Sequence, residues 1–154
     1  MDDLRRFLDE RACEALITQY VRFVDFGEAG RLADLFVIDG VWEADELVLV
    51  GQGAIRAHFE RREAIVRRVS RHYCTNFAIE VLSEDEAQGI AYFLNFRHDR
   101  SEGDLSLPVP AGLPKYSGEY HCHFRREVDV WRFVLLHVDV TFLRPATPPP
   151  ELST

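Results

Sequence analysis

The hydrophobic pattern of this chain changes period once, near Ser70, and that change limits the possible folds more than any other feature. Upstream the apolar residues recur at helical spacing. Leu4, Leu8, Ala12, Leu16, Tyr20 and Val24, with Cys13, Ile17 and Val21 beside them, predict a helix from about Leu4 to Asp25. Gly27 and Gly30 interrupt it, and Leu32, Leu35 and Phe36 suggest a short second helix. Asp39-Gly40 reads as a turn, Val41-Trp42 as the start of extended structure, and Leu47 to Val50 as a short strand. A third helix is expected from about Ala54 to Val69. Downstream the period is two. Arg71–Leu82, Ala87–His98, Tyr116–Arg126 and Val130–Leu143 read as four long strands. The Gly- and Pro-bearing stretch Ser101–Pro114 is too long for a tight hairpin and is expected to form a mobile flap.

Helices followed by a long antiparallel meander mean an α+β fold, with the helices on one face of the sheet. Yet both faces of the strands are apolar. Ile90, Tyr92, Leu94 and Phe96 alternate with Ala91 and Phe93. A half-exposed antiparallel sheet should alternate apolar with polar residues. The outer face, assigned by alternation to Tyr73, Phe77, Ile79, Tyr92, Leu94 and Phe133, is therefore expected to be covered by a second copy in a homodimer or homotrimer. One domain over residues 1–144 and an irregular Pro-rich tail over 145–154 account for the 154 residues.

A formal net charge of −8 argues against nucleic acid and anionic membrane surfaces as partners. No run of about 18 apolar residues predicts a membrane span, and no secretory leader is evident. Three widely spaced cysteines, Cys13, Cys74 and Cys122, fit neither a disulfide framework nor a zinc motif. A reducing cytoplasm is the expected setting.

Among the polar residues Asp25 is the most telling. It ends the first helix at the flank of the apolar stripe, about 40° from Val21 at 100° per residue, so its carboxylate needs a partner. Capping of the second helix or closure of the Gly27 turn would satisfy it equally. His72 opens the first long strand. Period two places His72, Cys74, Asn76 and Ala78 on one face, small and polar enough for a pocket wall.

The segments "DFGEAGRLADLFVIDGVW", "GQGAIRAHF" and "RHYCTN", followed by a terminal strand pair, resemble the SnoaL-like branch of the nuclear transport factor two superfamily. Within it they look most like the lindane dehydrochlorinases, and more loosely the scytalone and bile-acid 7α-dehydratases. The resemblance runs from Leu8 to about Arg144. It implies a cone-shaped α+β barrel, with three N-terminal helices on a curved, mostly antiparallel sheet. It also implies a cofactor-independent lyase or isomerase acting on a small hydrophobic cyclic molecule. In those lyases an aspartate at the end of the first helix orients a histidine that removes a proton. Asp25 and His72 fall on these two positions. The dehydrochlorinases carry a lysine five residues before the aspartate. Here it is Tyr20, as in the bile-acid enzymes, a phenol that can assist a departing hydroxyl or an enolate oxygen. Trp42, Cys74 and Asn76 are candidate pocket residues, and Arg126 and Arg144 candidate binders of an anionic substrate group.

Two other readings stand beside this one. His121, His123 and Glu127 are spaced like a cupin metal motif, with His137 across the last hairpin. The predicted turn at Glu127 and the leading helices speak against it, so no metal or other cofactor is expected. The chain could also be a non-catalytic ligand-binding or structural subunit of the same fold.

Overall fold

A computed structural model describes residues 2–65, 67–100 and 106–145. The tail expected beyond Pro145 and residues 101–105 of the expected flap lie outside the described residues. Helix α1 (Asp3–Asp25) starts at Asp2, whose carboxylate accepts from the Arg5 N–H at 2.7 Å. Its buried face runs through Asp9, Cys13, Leu16, Ile17, Tyr20, Val21 and Phe23. Leu4 and Leu8, expected in that stripe, are exposed. A row taken every four residues drifts off a face that repeats every 3.6. The helix ends in a Schellman motif: Glu28 N–H donates to the Phe23 carbonyl at 3.0 Å, and Gly27 takes the left-handed conformation with φ 72°.

After α2 (Ala29–Leu32) and one 3-10 turn (Ala33–Leu35), β1 (Phe36–Ala44) turns back through β2 (Leu47–Val50), and α3 (Gln52–Ile65) follows. Phe36, expected at the end of a helix, already belongs to β1. The sheet is completed by β3 (Arg67–Val81), β4 (Glu86–Arg100), β5 (Tyr116–Glu127) and β6 (Val130–Leu143). Its order is β2-β1-β6-β5-β4-β3, with a single parallel pairing between β1 and β6. The third helix stops about four residues short of the expected Val69. Arg67 and Arg68 instead pair with the end of β4, where Arg68 Nε lies 2.6 Å from Asp99 Oδ1. The architecture is α+β as read from the sequence, three helices against one open, curved sheet.

Two irregularities decide which residues face the helices. Asn76 and Phe77 together stand opposite Ala91, and Asn76 has φ 52°. This bulge reverses the alternation of β3. His72 and Cys74 face inward before it, and Phe77, Ile79 and Val81 pack on the core after it. Ile79 lies over Gly89, where an added Cβ would meet Ile79 Cδ1 at 2.3 Å. In β6, Val134 is the extra residue between Phe133 and Leu135. Trp131 and Phe133 therefore share the inner face with Leu136, and Phe133 is fully buried against Phe36 and Phe124. The expectation that Phe77, Ile79 and Phe133 face outward is thereby corrected. Asn76 and Ala78 do not share the inner face with His72. The exposed apolar residues of the outer face include Tyr73, Ile90, Tyr92 and Leu94.

Candidate functional site

Helix α1 delivers Asp25 at its last turn, a poor place for a negative charge because the helix dipole is negative there. Strand β3 supplies the compensation. His72 Nδ1 lies 2.7 Å from Asp25 Oδ1, the His72 backbone N–H donates to Oδ2 at 2.7 Å, and the Ser70 hydroxyl donates to Oδ1 at 2.7 Å. Arg71 donates to the Asp25 carbonyl at 3.4 Å and covers the Phe26 ring. The Asp25 side chain is only 5% exposed and that of His72 13%. Burial alone pushes the Asp25 carboxyl up. Hydrogen bonds and charge from His72, with help from Ser70, outweigh it and hold the group below its ordinary value. Asp25 is therefore an ionised acceptor aimed at Nδ1 of His72, an arrangement that favours the imidazole tautomer with its proton on Nδ1 and its lone pair on Nε2.

Nε2 faces Asn95, the cross-strand partner of His72 on β4, with Asn95 Nδ2 at 3.0 Å. Asn95 is 3% exposed. The ring of Phe93, 6.3 Å from that of His72, stacks on Tyr120 at 4.5 Å. Tyr120 meets Tyr20 edge-on at 5.7 Å. The Tyr20 oxygen accepts from Trp42 Nε1 at 3.0 Å, and its own hydrogen has no acceptor among the described residues. Burial pushes the Tyr20 phenol up to about 12, despite the Trp42 hydrogen bond and the nearby Arg62. It pushes the Tyr120 phenol up as well. Both are neutral donors at physiological pH. Cys74 is half-buried on the same face. Burial, then the Asp25 charge, raise its thiol to about 12, so it is no nucleophile at neutral pH.

The structure thus brings Asp25, His72, Tyr20 and Cys74 into one region, sets Trp42 directly behind Tyr20, and leaves the other candidates elsewhere. Trp42 is a buried buttress, bonded to Tyr20 and packed on His58 and Phe59. Asn76 sits exposed on the bulge and accepts from the Thr75 hydroxyl at 2.9 Å. Arg126 lies at the far end of β5, 3.1 Å from Asp9 and stacked on Trp131. Arg144 is at the His72 end of the sheet, but it donates to the Leu113 carbonyl at 2.6 Å and so fastens the connection after β4. Three residues were missed by sequence reasoning. Ser70 shares the His72 face by simple alternation and could have been found. Asn95 is an amide in an apolar run, itself a signal. Tyr120 looked like one more strand aromatic.

His121 and His123 alternate with buried Tyr120, Cys122 and Phe124 and so face away from the helices. Glu127 pairs with Arg125 at 2.8 Å. Among the described residues, the ligand-type side chains that do converge there are Glu119, His121 and Asp139, with ligand atoms within 4.8 Å of one another. His137 Nδ1 lies 3.0 Å from Glu43.

Solved structures share this fold. A hexachlorocyclohexane dehydrochlorinase from Novosphingobium barchaimii is 22% identical, covers 99% of this chain and 98% of its own, and superposes with a TM-score of 0.73. A scytalone dehydratase-like protein from Novosphingobium aromaticivorans is also 22% identical, over 97% of this chain and 98% of its own, with a TM-score of 0.75. A Mycobacterium tuberculosis protein of unknown function is 22% identical over 89% of this chain and 74% of its own, with a TM-score of 0.73. No match was found among curated proteins. The family model described as a SnoaL-like domain matches residues 5–137. With that match and an open, curved sheet on three helices, the chain belongs to the SnoaL-like domain family.

Proposed function

We propose that this chain is a cofactor-independent lyase or isomerase that removes a proton from a small, hydrophobic, cyclic substrate, with His72 as base and Asp25 as its orienting carboxylate. One observation carries the reading: a histidine held at 2.7 Å by an ionised, nearly buried carboxylate, with its other ring nitrogen on the inner face of the sheet. The names of the dehydrochlorinase and scytalone dehydratase-like neighbours support it.

In the proposed reaction substrate displaces the Asn95 amide from Nε2, and His72 takes a proton from carbon next to an activating carbonyl. The C–H electron pair becomes the enolate, and Tyr20 and Tyr120 donate hydrogen bonds to the oxygen that gains charge. In a dehydratase the electrons then form the C=C bond and expel hydroxide. The proton on His72 neutralises the hydroxide, and water leaves. In an isomerase the same proton returns to a different carbon. Asn95 can turn its amide so that its oxygen accepts from protonated Nε2.

The test is deuterium exchange. Cyclic ketones incubated with the protein in D2O should exchange the hydrogens next to the carbonyl, followed by proton NMR. Exchange should vanish with His72→Ala. Equal exchange in wild type and variant would leave only the binding reading.

The assembly is a homodimer or homotrimer through Tyr73, Ile90, Tyr92 and Leu94, all more than a third exposed in the single chain. Sedimentation equilibrium giving a mass near 17.8 kDa would refute this. The setting is cytoplasmic, a reading supported by three cysteines that are all free thiols. No described helix is long and apolar enough to cross a membrane.

A further inference from the structure

We infer that Arg62 anchors a carboxylate on the substrate, so that the ring compound handled at His72 is an acid. This inference rests on the proposed role of Asp25 and His72. Between the end of α1 and α3 lies a cleft of about 70 Å³, with Asp25, Phe59, Arg62, Glu63 and Arg68 on its wall. It has room for a carboxylate and the first atoms of a ring, not for a whole substrate.

The charged groups on that wall differ in one respect. Asp25 is engaged by His72 and Ser70. Glu63 accepts from the Ala29 N–H at 3.2 Å and packs on Gly27. Arg68 is paired with Asp99, which also takes Arg97 at 2.5 Å. Arg62 has no hydrogen-bond or ion-pair partner among the described residues. Its guanidinium lies 5.8 Å from the Phe59 ring centre and within electrostatic reach of Arg68, Tyr20, Arg97 and Tyr116.

A half-buried guanidinium is costly without a counter-ion. Two further arginines beside it raise the local positive potential, and desolvation followed by the Arg68 charge lowers the Arg62 pKa. Arginine offers a planar fork that matches a carboxylate through two parallel N–H···O bonds. The Tyr20 phenol feels the Arg62 charge, and its ring meets Tyr120, which stacks on the Phe93 ring beside His72, so aromatic contacts run from the anchor's neighbourhood to the reacting end of the site. A substrate held by its carboxylate at Arg62 would present its ring towards the inner face of the sheet.

The probes are benzoate and benzamide, matched in shape and different in charge, titrated calorimetrically into the full chain at neutral pH. Benzoate should bind about tenfold more tightly or better, the worth of a charge-assisted hydrogen bond. Arg62→Met should abolish the preference, and Arg62→Lys should keep part of it. Arg11→Met, on the exposed face of α1 away from the cleft and paired with Glu14, should leave the preference standing. If Arg62→Met does not fold, the ¹⁵N resonance of Arg62 Nε in the wild-type chain decides, because it should move with benzoate and not with benzamide. Equal affinity for the two probes, or a preference that survives Arg62→Met, overturns the inference. So does an Arg62 resonance that chloride saturates as well as benzoate does. The two readings fail separately: His72→Ala should lose deuterium exchange and keep the benzoate preference. Exchange that survives His72→Ala, with the preference intact, would sink the base and leave the anion anchor.

Discussion

Helix α1 buries two aspartates against the sheet, one near each end, and the sheet answers them differently. Asp9 accepts from Arg126 at 3.1 Å, from Trp131 Nε1 at 3.0 Å and from Arg5 at 3.0 Å. Asp25, some four turns further on, accepts from His72, Ser70 and a backbone N–H. Both arrangements solve the same problem, the cost of desolvating a carboxylate. A guanidinium solves it permanently: it is always charged, has no lone pair to offer and can take no proton. An imidazole solves it conditionally, because its charge changes near neutral pH and a second nitrogen remains available. One end of the helix is thus a staple and the other, in the proposed function, a proton-transfer site, although each is only an aspartate at the edge of an apolar stripe.

The comparison predicts opposite phenotypes, and the largest effect should be on turnover. His72→Ala is expected to cost about 10²–10⁴-fold in proton exchange, the usual worth of a positioned base, and about 1–3 kcal/mol of stability besides, because the buried Asp25 carboxylate keeps only Ser70 and one backbone N–H. Asp9→Asn should leave exchange unaffected. A loss of exchange in Asp9→Asn comparable to that in His72→Ala would erase the distinction.

The next effect is on stability at the other end. Asp9→Ala leaves Arg126 and the Trp131 N–H buried without their acceptor, and should cost about 3 kcal/mol in urea unfolding. A cost below about 1 kcal/mol would show the staple to be solvated.

Asp25→Asn should destabilise by about 1.5–3 kcal/mol at neutral pH through lost charged hydrogen bonds, with a characteristic pH dependence. The Asp25 carboxyl is held below its ordinary value of 3.8 when folded. Its contribution is therefore present above that value and disappears as pH falls through the lower, folded value. Urea melts of wild type and variant should converge in acid. A constant gap between pH 7 and 3 would mean that the asparagine acts through packing alone.

The smallest effect belongs to Asp99, whose carboxyl is lowered to about 2. Burial opposes that shift, and hydrogen bonds from Arg97 and Arg68 carry it. Its side chain is 38% exposed, so solvent screening limits Asp99→Asn to a few tenths of a kcal/mol, up to about 1. The contribution should fade between pH 3.8 and about 2. It should also shrink in high salt, unlike that of Asp9.

The layer order of this fold is visible in the sequence because it follows from periodicity. The helical stripe of α1 and the four long strands are patterns that burial imposes on many residues at once. The bulges are not visible in this way. Each inserts one residue into a ladder and reverses everything beyond it, and neither Asn76 nor Val134 has a composition that marks it beforehand. Phe77, Ile79 and Phe133 were misplaced for that reason. The site divides along the same line. Asp25 and His72 could be paired by resemblance, and Ser70 by alternation from His72. Asn95 and Tyr120 depend on register across strands, and Arg126 on the angle at which α1 crosses the sheet. A local pattern carries none of these.

The parallel pairing of β1 with β6 has a consequence for how the chain comes together. Every other ladder joins strands that are neighbours along the chain, so each can close as a hairpin soon after its second strand exists. Val41 to Ala44, however, must wait for Leu135 to Val138, more than ninety residues later. Closing so long a loop is slow. Until then β1 offers an open edge to any passing strand, and Glu43, which finally lies 3.0 Å from His137, puts a charge on that edge in the meantime. Asp25 and His72 are separated by only half that span, so the half of the molecule that holds them can assemble before the sheet is complete.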